Sequence, residues 1–302
     1  MSDYAPIALF AYDRLKHLQQ TVEALLKNPE SLESDLFVFS DAAKDSAHVS
    51  AVEEVRKYAG EITGFSTVHV IERVKNYGLA SSIIDGVTSI CREYKRVIVL
   101  EDDVVTSSCF LKYMNDGLDM YSHNEQVISI HGYIYPTDER LPETFFLRGA
   151  DCWGWATWQR GWDIFEHDGR LLLQQLRQRN LTQRFDYNGA YPYARMLEDQ
   201  IVGKNDSWAI RWHASAFLQN RLTLYPGRSL VMNIGNDNSG THCTASIDFS
   251  GELADEPVKV ERIPLEENEI ARQAFINFFR SQRPSILTKV FRRVARIMGR
   301  AN

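Results

Sequence analysis

The first hundred residues alternate between short apolar runs and longer segments in which apolar residues recur every three or four positions. The short runs predict buried strands at 6–12, 35–43, 67–73 and 96–100. The periodic segments between them predict helices at 14–28, 46–60 and 78–94. Because strand and helix alternate with short links, the pattern favours an α/β fold in which a mostly parallel sheet carries helices on both faces.

The second half of the chain has a less regular pattern. It predicts a helix at 107–122, a strand at 127–133, a helix at 205–220 and two short strands around a Pro-Gly turn within 223–235. No linker rich in Pro, Gly or Ser divides the chain. We therefore expect both halves to belong to one domain.

The charge of the chain is uneven along its length. The formal net charge of the 302 residues is −6, yet no acidic residue follows Glu269, whereas eight Lys and Arg residues do. The body before that point is therefore strongly acidic, which argues against nucleic-acid binding. No signal peptide and no apolar stretch of roughly 20 residues is visible. The scattered cysteines have no metal-like or redox spacing, so we expect reduced thiols in a cytoplasmic protein.

Three consecutive carboxylates, Glu101, Asp102 and Asp103, interrupt the apolar stretch VIVLEDDVVTS at 97–107. Ligands of open α/β sheets bind just beyond the carboxyl ends of the strands, and these acids follow the fourth predicted strand. Oxygen ligands suit Mg²⁺ or Mn²⁺, which are often held by one or two carboxylates and substrate phosphates. The alternative is that the acids are solvated or cap the next helix. Polar residues also follow the first three strands, namely Asp13, Arg14, Ser40, Asp41, Arg73, Lys75 and Asn76. This edge of the sheet therefore predicts a nucleotide and metal site.

Several segments, in order along the chain, are similar to motifs of one enzyme class. VIVLEDDVVTS resembles the D-x-D-type metal motif of GT-A nucleotide-sugar glycosyltransferases, in its E-D-D form. FAYDR (10–14), NDSWAIRW (205–212) and NSGTHC (238–243) resemble segments of the inverting N-acetylglucosaminyltransferases that initiate complex N-glycans. VKNYGLASSIIDG (74–86) is similar to a segment of bacterial family-2-like sugar transferases. The resemblance implies a GT-A (Rossmann-like) fold with an acceptor-binding C-terminal half.

The same resemblance implies roles for residues of the donor site. Asp103 would coordinate a metal ion that bridges the donor phosphates, and Asp102 and His242 are further candidate ligands. Glu101 or Asp102 would contact the ribose or a metal-bound water. The remaining predicted donor contacts are Arg14 at the diphosphate, Asp41 at the nucleotide base, Asn76 in the family-2-like segment and His242 in a closing loop. Arg211 is a further candidate at the diphosphate, and the alternative is that it is a structural ion-pair partner. We expect a UDP-linked sugar as the donor and Mn²⁺ or Mg²⁺ as the cofactor.

The resemblance assigns the catalytic base to Asp206, which would take the proton of the acceptor hydroxyl. Two alternatives remain: Asp206 or Asn205 only caps the helix at 205–220, or the pair Glu198 and Asp199 supplies the base, as in family-2-like enzymes.

An aromatic segment, DCWGWATWQRGW at 151–162, has four Trp residues interleaved with glycine. This arrangement is typical of a platform on which a sugar stacks, and the predicted acceptor-binding residues are Trp153, Gly154, Trp155 and Trp158. The alternative is that these aromatic residues pack in the core.

These observations predict a metal-dependent glycosyltransferase of the hexosyl or N-acetylhexosaminyl class. It would transfer a sugar from a nucleoside-diphosphate sugar to a hydroxyl of a glycan or lipid-linked acceptor, with inversion. A sugar nucleotidyltransferase is one alternative, although FAYDRLKH (10–17) lacks the glycine-rich phosphate loop of that class. A non-catalytic sugar-binding protein on the same fold is another. The expected parts are 1–106 for the donor, 107–265 for the acceptor and catalysis, and 266–302 for C-terminal helices.

The segment 284–300 has apolar residues at helical spacing and basic residues on the remaining face. A basic amphipathic helix of this kind predicts peripheral binding to an anionic membrane surface, such as the inner face of the plasma membrane. The alternative is that its apolar stripe packs on the acidic body or on a second subunit.

Overall fold

The computed structural model describes residues 4–235 and 251–282. The strands in these ranges are β1 (Ile7–Ala11), β2 (Asp35–Ser40), β3 (Thr67–Glu72), β4 (Arg96–Glu101), β5 (Val104–Thr106), β6 (Val127–His131), β7 (Thr144–Arg148), β8 (Trp155–Trp158), β9 (Leu222–Pro226) and β10 (Val231–Asn233). The helices are α1 (Leu15–Leu25), α2 (Val49–Glu61), α3 (Leu79–Tyr94), α4 (Phe110–Met120), α5 (Gln159–Trp162), α6 (Gly169–Gln178), α7 (Thr182–Phe185), α8 (Tyr193–Ile201), α9 (Trp208–Leu218) and α10 (Glu269–Ser281). A 3₁₀ helix at Pro29–Glu33 follows α1.

Eight of the strands form one sheet in the order β3-β2-β1-β4-β8-β6-β9-β7. The pairs β3-β2, β2-β1, β1-β4 and β6-β9 are parallel, whereas β8 and β7 run antiparallel to their neighbours. The two remaining strands, β5 and β10, form a small antiparallel sheet. The predicted α/β class, with a mostly parallel Rossmann-like sheet and flanking helices, is confirmed.

Apolar side chains from both faces of the sheet form the core. Leu18 of α1, Val55 of α2 and Leu111 of α4 pack with one set of strand residues. Ile83 of α3 and Trp212 of α9 pack with the other set. Because the inner strands β1 and β4 are covered on both faces, their sequences read as continuous apolar runs instead of alternating ones.

The structure corrects several predictions for the second half. Strands β5, β7 and β8 and the helices between Gln159 and Ile201 were not predicted, and β8 lies inside the aromatic segment. The two strands predicted within 223–235 are present as β9 and β10, but they belong to different sheets. The expected cap of α9 is also wrong: Ser207 caps this helix, and its hydroxyl accepts a hydrogen bond from the Ile210 N–H at 3.2 Å.

Helix α10 follows the expected start of the C-terminal part and packs on the sheet through Phe275 and Phe279. The predicted amphipathic segment 284–300 lies outside the described residues, as do His242 and the rest of its loop. Within the described ranges, no helix is both long and apolar enough to cross a membrane.

Candidate active site

The carboxyl ends of β1 and β4 bring Arg14 together with the acidic cluster. The Arg14 guanidinium forms an ion pair with Asp102 and another, at 2.8 Å, with Asp103. Parallel pairing of β1 with β4 sets this contact, because Phe10 is level with Glu101 in the register. The positive charge of Arg14 explains how two adjacent buried carboxylates are tolerated at the edge of an apolar strand.

The pKa values at this edge reflect burial and charge. Burial raises the pKa of Glu101 to about 8, and the charges of Asp103 and Asp102 add to this effect. Burial likewise raises the pKa of Asp102 to about 6, although Arg14 opposes the shift. Burial lowers the pKa of the Arg14 guanidinium, but the two aspartates outweigh it, so the net direction is upward and Arg14 stays protonated. The cluster is therefore an arginine bound to two aspartates beside a glutamic acid that holds its proton.

Replacing Glu101 with glutamine should flatten the pH dependence of folding stability. The pKa of Glu101 rises from its ordinary 4.5 to about 8 on folding, so the folded protein keeps a proton that the unfolded chain loses. The free energy of unfolding of the native chain should therefore fall as pH rises from about 4.5 to about 8. Glu101→Gln lacks this titration, so its stability relative to the native protein should increase over that range.

Urea denaturation of both proteins at about pH 5.5 and about pH 8.5 measures this effect. Asp163→Asn is the matched control, because Asp163 is exposed and follows α5 at the opposite end of the sheet. A stability difference between Glu101→Gln and the native chain that does not change with pH would contradict the raised pKa.

The acidic cluster provides one oxygen that suits a metal ion. Asp103 is 9% exposed, and its Oδ1 atom is buried without a hydrogen-bond partner. Its other oxygen is bound to Arg14. The described residues contain no group of three or more His, Cys, Asp or Glu side chains that could hold a metal ion by itself. A single carboxylate nevertheless fits Mg²⁺ or Mn²⁺ sites that are completed by water and substrate phosphates.

The chain returns to this cluster after β10. The Ile234 N–H donates to the Asp103 carbonyl at 2.8 Å, and a Cβ atom at Gly235 would lie 2.2 Å from Asp103 Oδ2. Only glycine fits at this close approach. The described part of this segment therefore ends beside Asp103.

Asp41, the predicted contact of the nucleotide base, is buried directly after β2. Its side chain is hydrogen-bonded to the backbone. Its carboxylate accepts hydrogen bonds from the N–H groups of Ala42, Tyr77 and Gly78 at 2.9–3.1 Å. The Asn76 side chain is exposed and donates to the Ala42 carbonyl at 2.7 Å. These bonds fix the loop between β3 and α3 against the end of β2.

Asp206 lines an open cavity of about 450 Å³ between α3 and the start of α9. Its side chain is 71% exposed and lies 3.8 Å from the Arg211 guanidinium. Arg211 is buried and donates to the carbonyls of Ser207 and His167. Ser81 and Asp85 of α3 face the same cavity. Because Ser207 caps α9, Asp206 has no capping role and its carboxylate is accessible from solvent.

The alternative pair, Glu198 and Asp199, lies on α8 within a network of surface ion pairs. Glu198 is bound to Arg177 at 2.7 Å and to Arg195 at 3.2 Å. Asp199 is bound to Lys204 at 3.1 Å and to Arg195 at 3.3 Å. Neither residue lines the cavity that contains Asp206.

The predicted aromatic platform is mostly interior. Trp155 is 0% exposed and Trp158 is 6% exposed, and the Trp158 Nε1 atom donates to the Leu118 carbonyl. Burial therefore removes Trp155 and Trp158 from any surface that an acceptor could reach. Trp153 is half-buried and packs edge-on against Tyr133 at 4.7 Å. Gly154 has φ = +58°, which favours glycine as the backbone turns into β8.

Sequence reasoning missed two groups near these strand ends. Tyr12 follows β1 and stacks on His48 at 5.7 Å, with its hydroxyl accepting from the Lys44 N–H. Asp151 precedes Trp153 and lies near several tyrosines. The only sequence signal for Asp151 is an acid at the head of the aromatic segment.

The sequence matches no protein-family model and no curated protein. Among solved structures it is similar to S. aureus TarS 1-349, with 12% identity, a TM-score of 0.32 and coverage of 51% of this chain and 47% of that chain. It is also similar to the mannosyltransferase PcManGT from Pyrobaculum calidifontis in complex with GDP-Man and Mn²⁺, with 12% identity, a TM-score of 0.37 and coverage of 72% and 73%.

A third similar structure is a putative glucose-1-phosphate thymidylyltransferase from Bacillus anthracis in complex with a sucrose, with 11% identity, a TM-score of 0.33 and coverage of 54% of this chain and 76% of that one. The chain spans about half the length of the TarS structure. At identities of 11–12% and TM-scores of 0.32–0.37, none of these similarities assigns a function to this chain.

Proposed function

We propose that this chain is a metal-dependent glycosyltransferase that transfers a sugar from a nucleoside-diphosphate sugar to an acceptor hydroxyl. The proposed donor is a UDP-linked sugar. The observation that carries the proposal is the contact of Arg14 with Asp102 and Asp103 at the carboxyl edge of a parallel sheet, with Asp103 Oδ1 unpaired. A cation and an available carboxylate oxygen at this edge suit a diphosphate and its divalent metal ion. The transferred group is a hexose or an N-acetylhexosamine.

In this proposal Asp103 would hold Mn²⁺ or Mg²⁺, with Asp102 beside it, and a metal ion there would supply positive charge to the departing nucleoside diphosphate. Arg14 contributes a second positive charge at the same place. Asp206 takes the proton of the acceptor hydroxyl as the new bond forms. A carboxylate base with no covalent intermediate implies a single displacement, so the anomeric configuration of the sugar is inverted.

The natural acceptor in this proposal is a glycan or lipid-linked sugar under assembly, as in cell-envelope polysaccharide biosynthesis. The cellular site is the cytoplasm or the inner face of the plasma membrane. The basic residues of 284–300 support the latter, since several such charges each contribute about 1 kcal/mol near an anionic surface.

A screen of UDP-, GDP- and dTDP-sugars with and without Mn²⁺ tests the proposal. We expect slow, metal-dependent hydrolysis of at least one of them to a nucleoside diphosphate and a free sugar. A nucleotidyltransferase would instead form a nucleoside triphosphate and a sugar 1-phosphate when pyrophosphate is added. If no nucleotide sugar is turned over or bound with any metal, the chain is not a transferase of this class.

A further inference from the structure

Asp151 is a half-buried carboxylate in the segment between β7 and β8. The Cys152 N–H donates to its Oδ1 atom at 2.9 Å. None of the ion pairs formed within residues 4–235 and 251–282 includes Asp151. A partly desolvated carboxylate without a cation is unfavourable unless hydrogen bonds compensate it. The Cys152 thiol also hydrogen-bonds this carboxylate. A carboxylate accepts more than two hydrogen bonds, so Asp151 could accept others from a ligand.

Aromatic side chains pack next to the backbone at Asp151. The His213 ring is hydrogen-bonded to the Ala150 carbonyl at 2.8 Å, which fixes the backbone beside Asp151. Tyr193 packs on His213 at 4.8 Å, and Tyr191 packs on Tyr193 at 4.5 Å. Trp153 follows Asp151 by two residues, and its backbone N–H donates a hydrogen bond to His131 Nε2 at 3.2 Å. Trp153, Tyr191 and Tyr193 are half-buried.

This aromatic group adjoins the acidic cluster at the end of β4. Strand β8 begins at Trp155, which is level with Val99 of β4 in their antiparallel register. The segment that precedes β8, with Asp151 and Trp153, therefore lies at the carboxyl end of β4, where Glu101 and the two aspartates follow. A ligand held at Asp151 would be next to the place where the donor sugar is expected.

We infer that Asp151, Trp153 and Tyr191 form the subsite for the acceptor sugar ring, with the Asp151 carboxylate accepting hydrogen bonds from its hydroxyl groups. A sugar ring has apolar C–H faces, which aromatic rings cover, and hydroxyl donors around its rim, which a carboxylate satisfies. Sites for small ligands commonly combine such aromatic walls with one or two placed polar groups. This inference rests on the proposed glycosyltransferase function, since that function supplies the reason for an acceptor beside the donor.

Saturation-transfer NMR with the full chain and a panel of methyl glycosides, without nucleotide, tests the subsite. The panel contains both anomers of methyl glucoside, galactoside, mannoside and N-acetylglucosaminide. We expect at least one glycoside to bind, and Asp151→Asn, which keeps the side-chain size, to weaken it about 10-fold or more. Tyr191→Leu should weaken it as well, because the stacking ring is lost. Asp163→Asn should bind like the native chain.

The affinity for UDP with Mn²⁺, measured by calorimetry, should be the same in Asp151→Asn as in the native chain. Unchanged glycoside affinity in Asp151→Asn, or no glycoside binding at all, overturns the subsite. Preferential binding of choline also overturns it, because an aromatic cage with a carboxylate then serves a cation. If glycosides bind through Asp151 but no nucleotide sugar is turned over, the proposed function fails while the sugar subsite stands. If donors are hydrolysed but glycosides ignore Asp151, the subsite alone fails.

Discussion

Asp103→Ala should abolish sugar transfer together with the metal-dependent part of nucleotide binding. The substitution removes the buried Oδ1 atom of Asp103, which has no hydrogen-bond partner, and a metal held by one or two protein carboxylates cannot lose one without a large loss of affinity. The fold should survive, because Arg14 retains Asp102 as its partner and the hydrogen bond from Ile234 uses the backbone of Asp103. Calorimetric titration of UDP into the variant, with and without Mn²⁺, measures the effect.

The native chain should bind UDP more tightly with Mn²⁺ than without it, and the variant should show no such difference. Asp163→Asn serves as the control, since it also removes one carboxylate charge but at the other end of the sheet. Metal-dependent affinity that persists unchanged in Asp103→Ala would show that Asp103 is not a ligand.

Asp206→Asn should lower the rate of transfer by at least about 10²-fold, the usual scale for the loss of a general base. The side chain keeps its size and loses only its basicity. Ser207 caps the helix, so Asp206 has no capping role. Its ion pair with Arg211 at 3.8 Å involves a 71% exposed carboxylate, and solvent screens such a pair, so the free energy of unfolding should change by less than about 1 kcal/mol. UDP affinity should also be preserved, because Asp103 and Arg14, which would hold the metal ion and the diphosphate, follow β4 and β1 and do not line the cavity of Asp206.

Asp199→Asn is the matched comparison, since Asp199 is the rival carboxylate and is held in surface ion pairs with Lys204 and Arg195. Single-turnover rates of both variants, with the same donor and acceptor, separate the two assignments. If the Asp206→Asn variant is active and the Asp199→Asn variant is inactive, the catalytic base is Asp199 on α8.

That Arg14 and the acids lie at one edge of the sheet could be predicted, because the carboxyl ends of parallel strands share an edge. The direct pairing of β1 with β4, which brings them into contact, could not be predicted from the pattern. The sequence did not show that Arg14 would form ion pairs with Asp102 and Asp103. It also did not show that the Asp41 carboxylate would accept hydrogen bonds from backbone N–H groups. Both contacts depend on the geometry of loops, which hydrophobic periodicity does not predict.

The aromatic segment could not be interpreted correctly from its pattern. Tryptophan interleaved with glycine is compatible with a sugar platform and with a short buried strand, and β8 has only four residues. Trp155 and Trp158 are interior because β8 is inserted between β4 and β6, a topology that adjacent sequence does not reveal. Asp151 was missed for a related reason, since its tyrosine neighbours come from distant segments.

The position of β8 also affects how the chain folds as it is made. β4 pairs with β8 through Arg96–Trp158 and its neighbours, yet β8 is translated long after β4. Until then, one edge of the apolar strand β4 has unpaired N–H and C=O groups, which can pair with other chains. Between the synthesis of these two strands, a nascent chain therefore has one more unpaired strand edge than the finished fold, and this edge can aggregate.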